Sequence, residues 1–328
     1  MATATTPIER GSDDLRALLA PARQTTNPLY GRYVDLGRFG EYALHKLLEG
    51  VATGAASIHT TRSQSGVSGV ATWRLLPWDS EQLGVVAARI EALAAAGAYV
   101  DACECYATLL GEVAESCRSR SVGFLTARVE ASESAAIHSL EQFGFMLVDS
   151  IQTFSLDLGA WRPETTQVQD ARVRPFELSD LEDVLEIAGS SYICDRFHSD
   201  PVIRCEIANA LHRAWLRNSC AGIGCEQVMV GADERGVTSY VTCQIDRRQR
   251  EATGLAVGTI VMVATAARVR GQGWALAVTF GALEWFRQQE VQVVVVGTQL
   301  RNLGAASLYQ KAGFRPTGAS FTFRKLLA

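Results

Sequence analysis

The segment whose residue types best suit chemistry is the glycine-rich turn Arg270, Gly271, Gln272, Gly273, Trp274 and Ala275. An uncharged, β-branched run precedes it and an amphipathic pattern continues to about Gln289, which predicts a strand that enters a helix through glycines. The first amides of a helix lack intrahelical partners, the helix dipole is positive there, and glycines let a bulky anion approach. The turn therefore predicts a phosphate or pyrophosphate site, although a simple tight turn would use the same glycines.

A second set of candidate residues follows the apolar run 291–296, whose composition is typical of a buried parallel strand. Asn302 then occupies the N-cap position of a predicted helix over residues 303–312, and Tyr309 lies two turns into that helix. A phenol in this place can protonate a leaving group, and the asparagine amide can hydrogen-bond a ligand. The alternatives are structural: Tyr309 as a packing aromatic and Asn302 as a helix cap.

In this order, the two motifs resemble the acyl-CoA-binding core of the GNAT superfamily of N-acyltransferases. The pattern is strand, R-G-x-G-x-A, helix, strand and N-x-x-A-x-x-L-Y-x-x-x-G-F, and its second part is met without a gap by Asn302, Ala305, Leu308, Tyr309, Gly313 and Phe314. The resemblance implies an α/β fold with a mixed sheet. It also implies acetyl-CoA as co-substrate and no metal.

The resemblance also assigns roles. Residues 270–275 would hold the pyrophosphate of coenzyme A, and the pantetheine arm would pair with the backbone of Val263 and Thr265 like an added strand. Asn302 would hydrogen-bond the pantetheine. Tyr309 would be the general acid for the departing thiolate.

The general base is less determined. An alkyl amine with a pKa of ~10 is mostly protonated at pH 7, so a carboxylate, a histidine or a water chain must accept its proton. Glu81, Asp79, His198 and Asp200 are the available candidates, and the sequence does not choose among them. His198 can equally be a structural histidine.

Shorter motifs resemble the TDP-fucosamine N-acetyltransferase group: LPWDSE, RFHxDP with a W-x-x-N-S helix, and V-G-T-Q before Asn302. This resemblance implies a nucleotide-linked 4-amino-deoxyhexose as acceptor and a homodimer. On the acceptor side we expect stacking aromatics, a diphosphate-binding arginine and further contacts: Trp78, Asp79, Arg196, Phe197 and Trp215. The alternatives are another small amine as acceptor, or a non-catalytic acyl-CoA-binding regulatory module.

The elements that would position these residues occur twice. A shift of 169 positions superposes Ala136 on Ala305, Gly144-Phe145 on Gly313-Phe314, and Thr153-Phe154 on Thr322-Phe323. A period this long indicates duplicated domains. The first copy has Leu140 in place of Tyr309 and Glu133 in place of Asn302, so we expect that it has lost the means to hold coenzyme A.

These observations divide the chain into four segments. We expect a mobile N-terminus over 1–25, a degenerate GNAT-like domain on the acceptor side over 26–160, a linker over 161–171, and a catalytic domain over 172–328. Within the first domain, an amphipathic pattern predicts a helix over residues 30–49.

Composition excludes several function classes. The 328 residues suffice for two domains, and the formal net charge of −4 gives no basic surface for nucleic acid. No stretch reaches the ~18 apolar residues of a membrane helix, and the N-terminus has no signal-peptide core, so we expect a cytoplasmic protein. The eight cysteines lack a complete zinc motif and are expected to be free thiols.

Overall fold

The computed structural model describes residues 15, 27, 29–64, 66–163, 170 and 172–327. Its contacts divide the chain into two compact units, the first built on residues 35–148 and 320–327 and the second on 27–34 and 149–319. The predicted mobile segment 1–25 lies outside the described residues except for Leu15, and so does most of the predicted linker 161–171. The domain boundaries taken from the sequence stay a prediction.

In its described residues 35–64, 66–148 and 320–327, the first unit is a mixed sheet with four helices. Its strands are β1 (Ser57–Ser63), β2 (Gly66–Leu75), β3 (Ala87–Ala95), β4 (Phe124–Glu130) and the end of β11 (Arg315–Leu326), in the order β1-β2-β3-β4-β11. Its helices are α1 (Leu36–Ala52), α2 (Pro77–Leu83), α3 (Tyr99–Arg118) and α4 (Ser134–Gln142). Strands β3 and β4 are parallel, and the other pairs in this unit are antiparallel.

The second unit repeats this plan. Its strands are β5 (Met146–Asp157, from Asp149 on), β6 (Val173–Pro175), β7 (Gln227–Asp233), β8 (Gly236–Ile245), β9 (Val257–Thr265) and β10 (Val293–Gln299), in the order β5-β10-β9-β8-β7-β6. Its helices are α5 (Leu181–Ser191), α6 (Arg196–Ser199), α7 (Cys205–Cys220), α8 (Arg247–Thr253), α9 (Trp274–Gln288) and α10 (Leu303–Lys311). The predicted mixed α/β fold is confirmed. In the described residues, no helix has the length and apolarity to cross a membrane.

The internal repeat holds element by element. A shift of 170 positions carries β1, β2, α2 and β3 onto β7, β8, α8 and β9, and a shift of 169 carries β4, α4 and β5 onto β10, α10 and β11. Even an irregularity recurs, because β3 and β9 each carry one extra residue opposite their antiparallel neighbour. Such a bulge bends a strand and changes its twist. The duplication seen in the sequence is therefore a duplication of structure.

The two copies exchange their last strands. In the second unit, β5 pairs with β10 from Asp157↔Val293 to Ile151↔Gln299, whereas β11 pairs with β4 in the first unit over residues 320–326. Phe154 and Phe323, related by the repeat, are each fully buried in the core of the opposite copy. Each copy therefore completes its sheet with the strand that follows the other copy in the repeat.

One helix begins later than the sequence predicts. The pattern over 30–49 suggests one continuous helix, but residues 30–32 form a 3-10 turn and α1 starts only at Leu36. Asp35 is the N-cap, since its side chain accepts a hydrogen bond from the Gly37 N–H. A capping carboxylate satisfies one amide that the helix leaves unpaired and so sets the start of the helix.

Candidate active site

The central strands of the second unit separate at their carboxyl ends. The parallel pairing of β9 with β10 runs only from Val257↔Val293 to Ile260↔Val296. Beyond it, a cavity of about 340 Å³ opens between β9, β10 and the start of α10. Residues from both motifs and from the 191–195 segment line it, among them Tyr192, Asp195, Val263, Thr265, Arg270, Ala275, Gln299, Asn302 and Tyr309.

The glycine-rich turn places the N-terminus of α9 beside this cavity, which Arg270 and Ala275 line. Gly271 and Gly273 have φ angles of 79° and 85°, a left-handed conformation that glycine adopts without strain. With Gly273 as N-cap, the amides of Trp274 and Ala275 have no acceptor within α9. The Trp274 ring is buried, and the Arg172 guanidinium lies over it, 4.3 Å from the ring centre. These contacts hold the first turn of α9 in place. Gln272 is exposed and, like both glycines, does not line the cavity.

Strand β9 presents a free edge to the cavity. Val263 pairs with Val241 of β8 on one side, and its other side faces the gap to β10. The buried hydroxyl of Thr265 has no hydrogen-bond partner among the described residues. A ligand in the cavity could therefore bond both to the strand edge and to this hydroxyl.

Asn302 is both a cap and a cavity residue. Its Oδ1 accepts a hydrogen bond of 3.2 Å from the Ala305 N–H at the start of α10. Its Nδ2 has no partner in the described part of the chain, and the residue lines the cavity. The two roles proposed for it are compatible in the geometry.

Tyr309 reaches the cavity from the last turns of α10. Its side chain is 4% exposed and packs between Phe154 and Phe314, each with its ring centre 5.9 Å away. No described group hydrogen-bonds its hydroxyl. Burial raises its pKa, because the phenolate would lose its hydration. Tyr309 is therefore a neutral donor that lacks an acceptor.

Asp195, which the sequence did not single out, is the only carboxylate among the described residues that line this cavity. It caps α6 and accepts hydrogen bonds from the N–H groups of Phe197 and His198. Its Oδ2 lies 2.5 Å from Nδ1 of His198 and 3.8 Å from Nε2 of His212. The Tyr192 hydroxyl is close enough to both Asp195 and Tyr309 that each contributes to raising its pKa, behind the larger effect of burial.

The Asp195, His198 and His212 side chains could supply three metal ligands, since their donor atoms lie within 4.8 Å of one another. The hydrogen bonds favour another interpretation. His198 directs Nδ1 at the Asp195 carboxylate and Nε2 at Asn209 Oδ1, 2.9 Å away, so both ring nitrogens already have protein partners. A metal ligand needs a free lone pair.

All eight cysteines are free thiols, as predicted.

The structure does not bring the other base candidates to the cavity. Glu81 and Asp79 lie on α2 of the first unit. The His198 side chain is buried behind Asp195, and Asp200 is 2% exposed at the end of α6. None of these four residues lines the cavity.

The predicted acceptor contacts are similarly placed away from it. Trp78 lies on α2 of the first unit. Phe197 is 4% exposed beneath the Arg196 guanidinium, whose centre is 4.3 Å from the ring, so this face is already covered. Trp215 packs 6.4 Å from His212. These acceptor assignments stay predictions.

Part of the second unit is similar to a known protein family. Residues 188–314 match the model of the Acetyltransferase (GNAT) family, and this range contains the whole cavity. The motifs that predicted this family, at 270–275 and 302–314, both lie inside the matched range.

A curated relative of this chain is the spore coat polysaccharide biosynthesis protein SpsD of Bacillus subtilis, 24% identical over 146 residues. The match covers 43% of this chain and less than half, 45%, of SpsD. A relative of this kind indicates common ancestry for part of the chain.

Solved structures share the duplicated fold. A tandem GNAT protein from the clavulanic acid biosynthesis pathway superposes with a TM-score of 0.53 at 14% identity, covering 84% of both chains. A GCN5-related N-acetyltransferase from Sphaerobacter thermophilus gives 0.59 at 16% identity, covering 88% of this chain and 85% of that one. These likenesses show two GNAT-like domains.

Proposed function

We propose that the chain is an N-acetyltransferase that moves an acetyl group from acetyl-CoA to an amine in the second unit. The observation that carries the proposal is Tyr309, a buried phenol without an acceptor, in the gap between β9 and β10 beside a glycine-preceded helix start. Each part of acetyl-CoA has a matching surface there. The Arg270–Ala275 turn offers amides to the pyrophosphate, and the edge at Val263 offers the pantetheine a strand to pair with.

In the proposed reaction, the amine nitrogen attacks the thioester carbonyl carbon in a ternary complex. The carbon–sulfur bond then breaks, and the Tyr309 hydroxyl donates its hydrogen bond to the departing sulfur. A thiolate, whose thiol has a pKa of ~8.5, is already a weaker base than a phenolate, whose phenol has a pKa of ~10, and burial raises the pKa of Tyr309 further. Tyr309 therefore acts mainly by a hydrogen bond that strengthens as charge develops on sulfur.

We propose Asp195 as the group that receives the proton of the amine, directly or through a water. Asp195 is the carboxylate-bearing residue among the described residues that line the cavity with Tyr309, and Nδ1 of His198 contacts its Oδ2. A carboxylate in this place also attracts the ammonium form of the acceptor. This assignment replaces Glu81, His198 and Asp200 as the favoured base.

For the acceptor, we propose the amine of a nucleotide-linked amino sugar of the TDP-4-amino-deoxyhexose type. The support is the resemblance of LPWDSE and RFHxDP to that enzyme group, together with a relative named for polysaccharide biosynthesis. The same resemblance implies a homodimer, which analytical ultracentrifugation would test. Another small amine, or a non-catalytic acyl-CoA-binding module, is the alternative.

A thiol-release assay separates these alternatives. The purified chain is incubated with acetyl-CoA and, in turn, a TDP-4-amino-deoxyhexose, glucosamine, spermidine and lysine. We expect thiol release above the hydrolysis background with the nucleotide sugar, and Asp195→Asn should slow it about 10²-fold or more. Release only with another amine would replace the proposed acceptor, and acetyl-CoA binding without release from any amine would favour the binding module.

A further inference from the structure

The first unit contains a second cavity, larger than the one that holds Tyr309. Strands β3 and β4 pair from Ala87↔Phe124 to Ile90↔Ala127 and then separate, as β9 and β10 do in the other copy. The space beyond is about 830 Å³, and all its lining residues come from the range 43–133. A cavity of this volume lies within the range of small-molecule sites.

This cavity differs from its counterpart in the charge of its walls. Its lining holds four cationic side chains and three carboxylates: Lys46, Arg74, Arg89, Arg128, Glu91, Glu130 and Glu133. The positions on β10 and α10 that correspond by the 169-residue shift to Arg128, Glu130 and Glu133 are uncharged, being Gly297, Gln299 and Asn302. The copy without the coenzyme motifs therefore carries charged groups where the catalytic copy has none.

The charged side chains of this lining form two groups, one with an excess of positive charge and one with an excess of negative charge. Arg74 and Arg89 both direct Nε at one carboxylate oxygen of Glu91, at 2.8 and 2.7 Å, so two guanidinium groups share one negative charge. Glu91 is the extra residue of the bulge in β3. Further along the gap, Glu130 and Glu133 lie close enough to repel each other, with Arg128 as the nearby cation.

A buried hydroxyl in the same wall has no partner. Thr72 is 1% exposed and lines the cavity, and no described residue hydrogen-bonds its Oγ1. Its counterpart in the repeat, Thr242, accepts a hydrogen bond of 3.0 Å from the Met262 N–H. The fold thus offers this hydroxyl a backbone partner in one copy, and in the first copy the hydroxyl is left for a group inside the cavity.

We propose that this cavity binds a small phosphorylated amine. Four cations against three carboxylates give the walls one net positive charge. A molecule with one ammonium and one phosphate carries about one net negative charge at neutral pH. Arg74 and Arg89 bind the phosphate, because a guanidinium can donate two parallel hydrogen bonds to phosphate oxygens. Glu130 and Glu133 bind the ammonium. The Thr72 hydroxyl bonds a polar group between them.

The state of Glu130 agrees with this assignment. Burial is the main cause that raises its pKa, the charge of Glu133 adds to the effect, and Arg128 opposes it. A carboxylate pair that is costly to keep ionised is stabilised by an ammonium placed between its members. The site is separate from the acyltransferase cavity and does not depend on the activity proposed there.

Isothermal titration of the full chain tests this site with three probes: glucosamine 6-phosphate, glucose 6-phosphate and glucosamine. We expect glucosamine 6-phosphate to bind at least tenfold more tightly than either molecule that lacks one charge. Glu130→Gln should reduce its affinity to that of glucose 6-phosphate, and Arg89→Gln should weaken both phosphates. Glu104→Gln, an exposed charge change on α3, is the matched control and should leave all three affinities unchanged.

Two further variants keep the outcome decisive. Asp195→Asn in the second unit should leave the affinity for glucosamine 6-phosphate unchanged, whereas Glu133→Gln should weaken it if Glu130→Gln fails to fold. Equal affinity for the three probes, no binding of any, or a loss of binding in Asp195→Asn but not in the Glu130 and Glu133 variants would overturn the proposal.

Discussion

The Asp195 carboxylate holds the His198 ring by a contact of 2.5 Å to Nδ1, and the other nitrogen of the ring faces Asn209. We therefore expect the histidine of the RFHxDP motif to position Asp195, which lines the cavity while His198 does not. Asp195→Asn should lower kcat/KM about 10²-fold or more, the usual contribution of a proton-transfer group. His198→Gln should lower it less, because the Asp195 carboxylate remains. Steady-state kinetics of both variants checks this order, and the reverse order would contradict it.

The helix-start turn offers a prediction with an internal control. Gly273→Ala and Gly254→Ala both place a Cβ at a φ of 80–85° with no atom within 4 Å, so both should destabilise the fold by about 1–2 kcal/mol. Only Gly273 lies at the N-terminus of α9. Acetyl-CoA binding, measured by titration, should therefore weaken in Gly273→Ala and stay unchanged in Gly254→Ala. Equal affinities in both variants would remove the turn from the site.

Two substitutions of Asn302 separate its roles. Asn302→Ala removes the cap of α10 and should cost about 1 kcal/mol of unfolding free energy. Asn302→Asp keeps a capping oxygen for the Ala305 N–H but loses the Nδ2 donor. If the amide binds the coenzyme, the aspartate variant should unfold like the parent and yet show a raised KM for acetyl-CoA. Parental kinetics in Asn302→Asp would leave Asn302 as a cap alone.

Stability should fall with acidity because of two imidazoles, the buried His212 and the half-buried His59. Burial is the main cause that lowers the pKa of His212 and of His59 below 6.5. As the pH falls below about 6.5, the unfolded chain binds protons that the folded chain resists, so the unfolding free energy decreases. Urea titrations between pH 7.5 and 5 should show this slope. His212→Gln should reduce it, while the exposed His45→Gln should not.

The strand exchange predicts crossed effects of two equivalent substitutions. Phe154→Ala and Phe323→Ala each empty a fully buried site, at a cost of about 3–5 kcal/mol. Because the strands are exchanged, Phe323→Ala should increase amide hydrogen exchange in β3 and β4, and Phe154→Ala in β9 and β10. Exchange that rises in the copy to which each residue belongs by sequence would contradict the pairing.

The sequence predicts local elements of this fold well and long-range pairing poorly. The strand Val293–Gln299 and the glycine-preceded helix Trp274–Gln288 are determined by their own residues, so pattern and caps are enough to find them. The exchange of β5 and β11 depends on which sheet each strand meets. Two strands with the same local pattern carry no signal that distinguishes these pairings.

The candidate site divides in the same way. The turn at 270–275 and Tyr309 belong to contiguous motifs, so the spacing of their residues in the sequence is enough to predict them as site residues. Asp195 reaches the cavity as the N-cap of a four-residue helix, and its link to His212 spans a segment of irregular structure. A D-x-x-H spacing with capping geometry was the only local signal. The charged cavity of the first unit could not be foreseen because its walls come from five separate elements, α1, β2, β3, α3 and β4.

The central claim is that Tyr309 assists the departure of the thiolate in the second unit, and Tyr309→Phe tests it most directly. The phenylalanine keeps the packing against Phe154 and Phe314 and removes only the hydroxyl. Single-turnover thiol release should slow by about 10²-fold or more while the dissociation constant of acetyl-CoA stays within twofold of the parent. Unchanged release, or a loss of rate explained wholly by weaker coenzyme binding, would contradict the account.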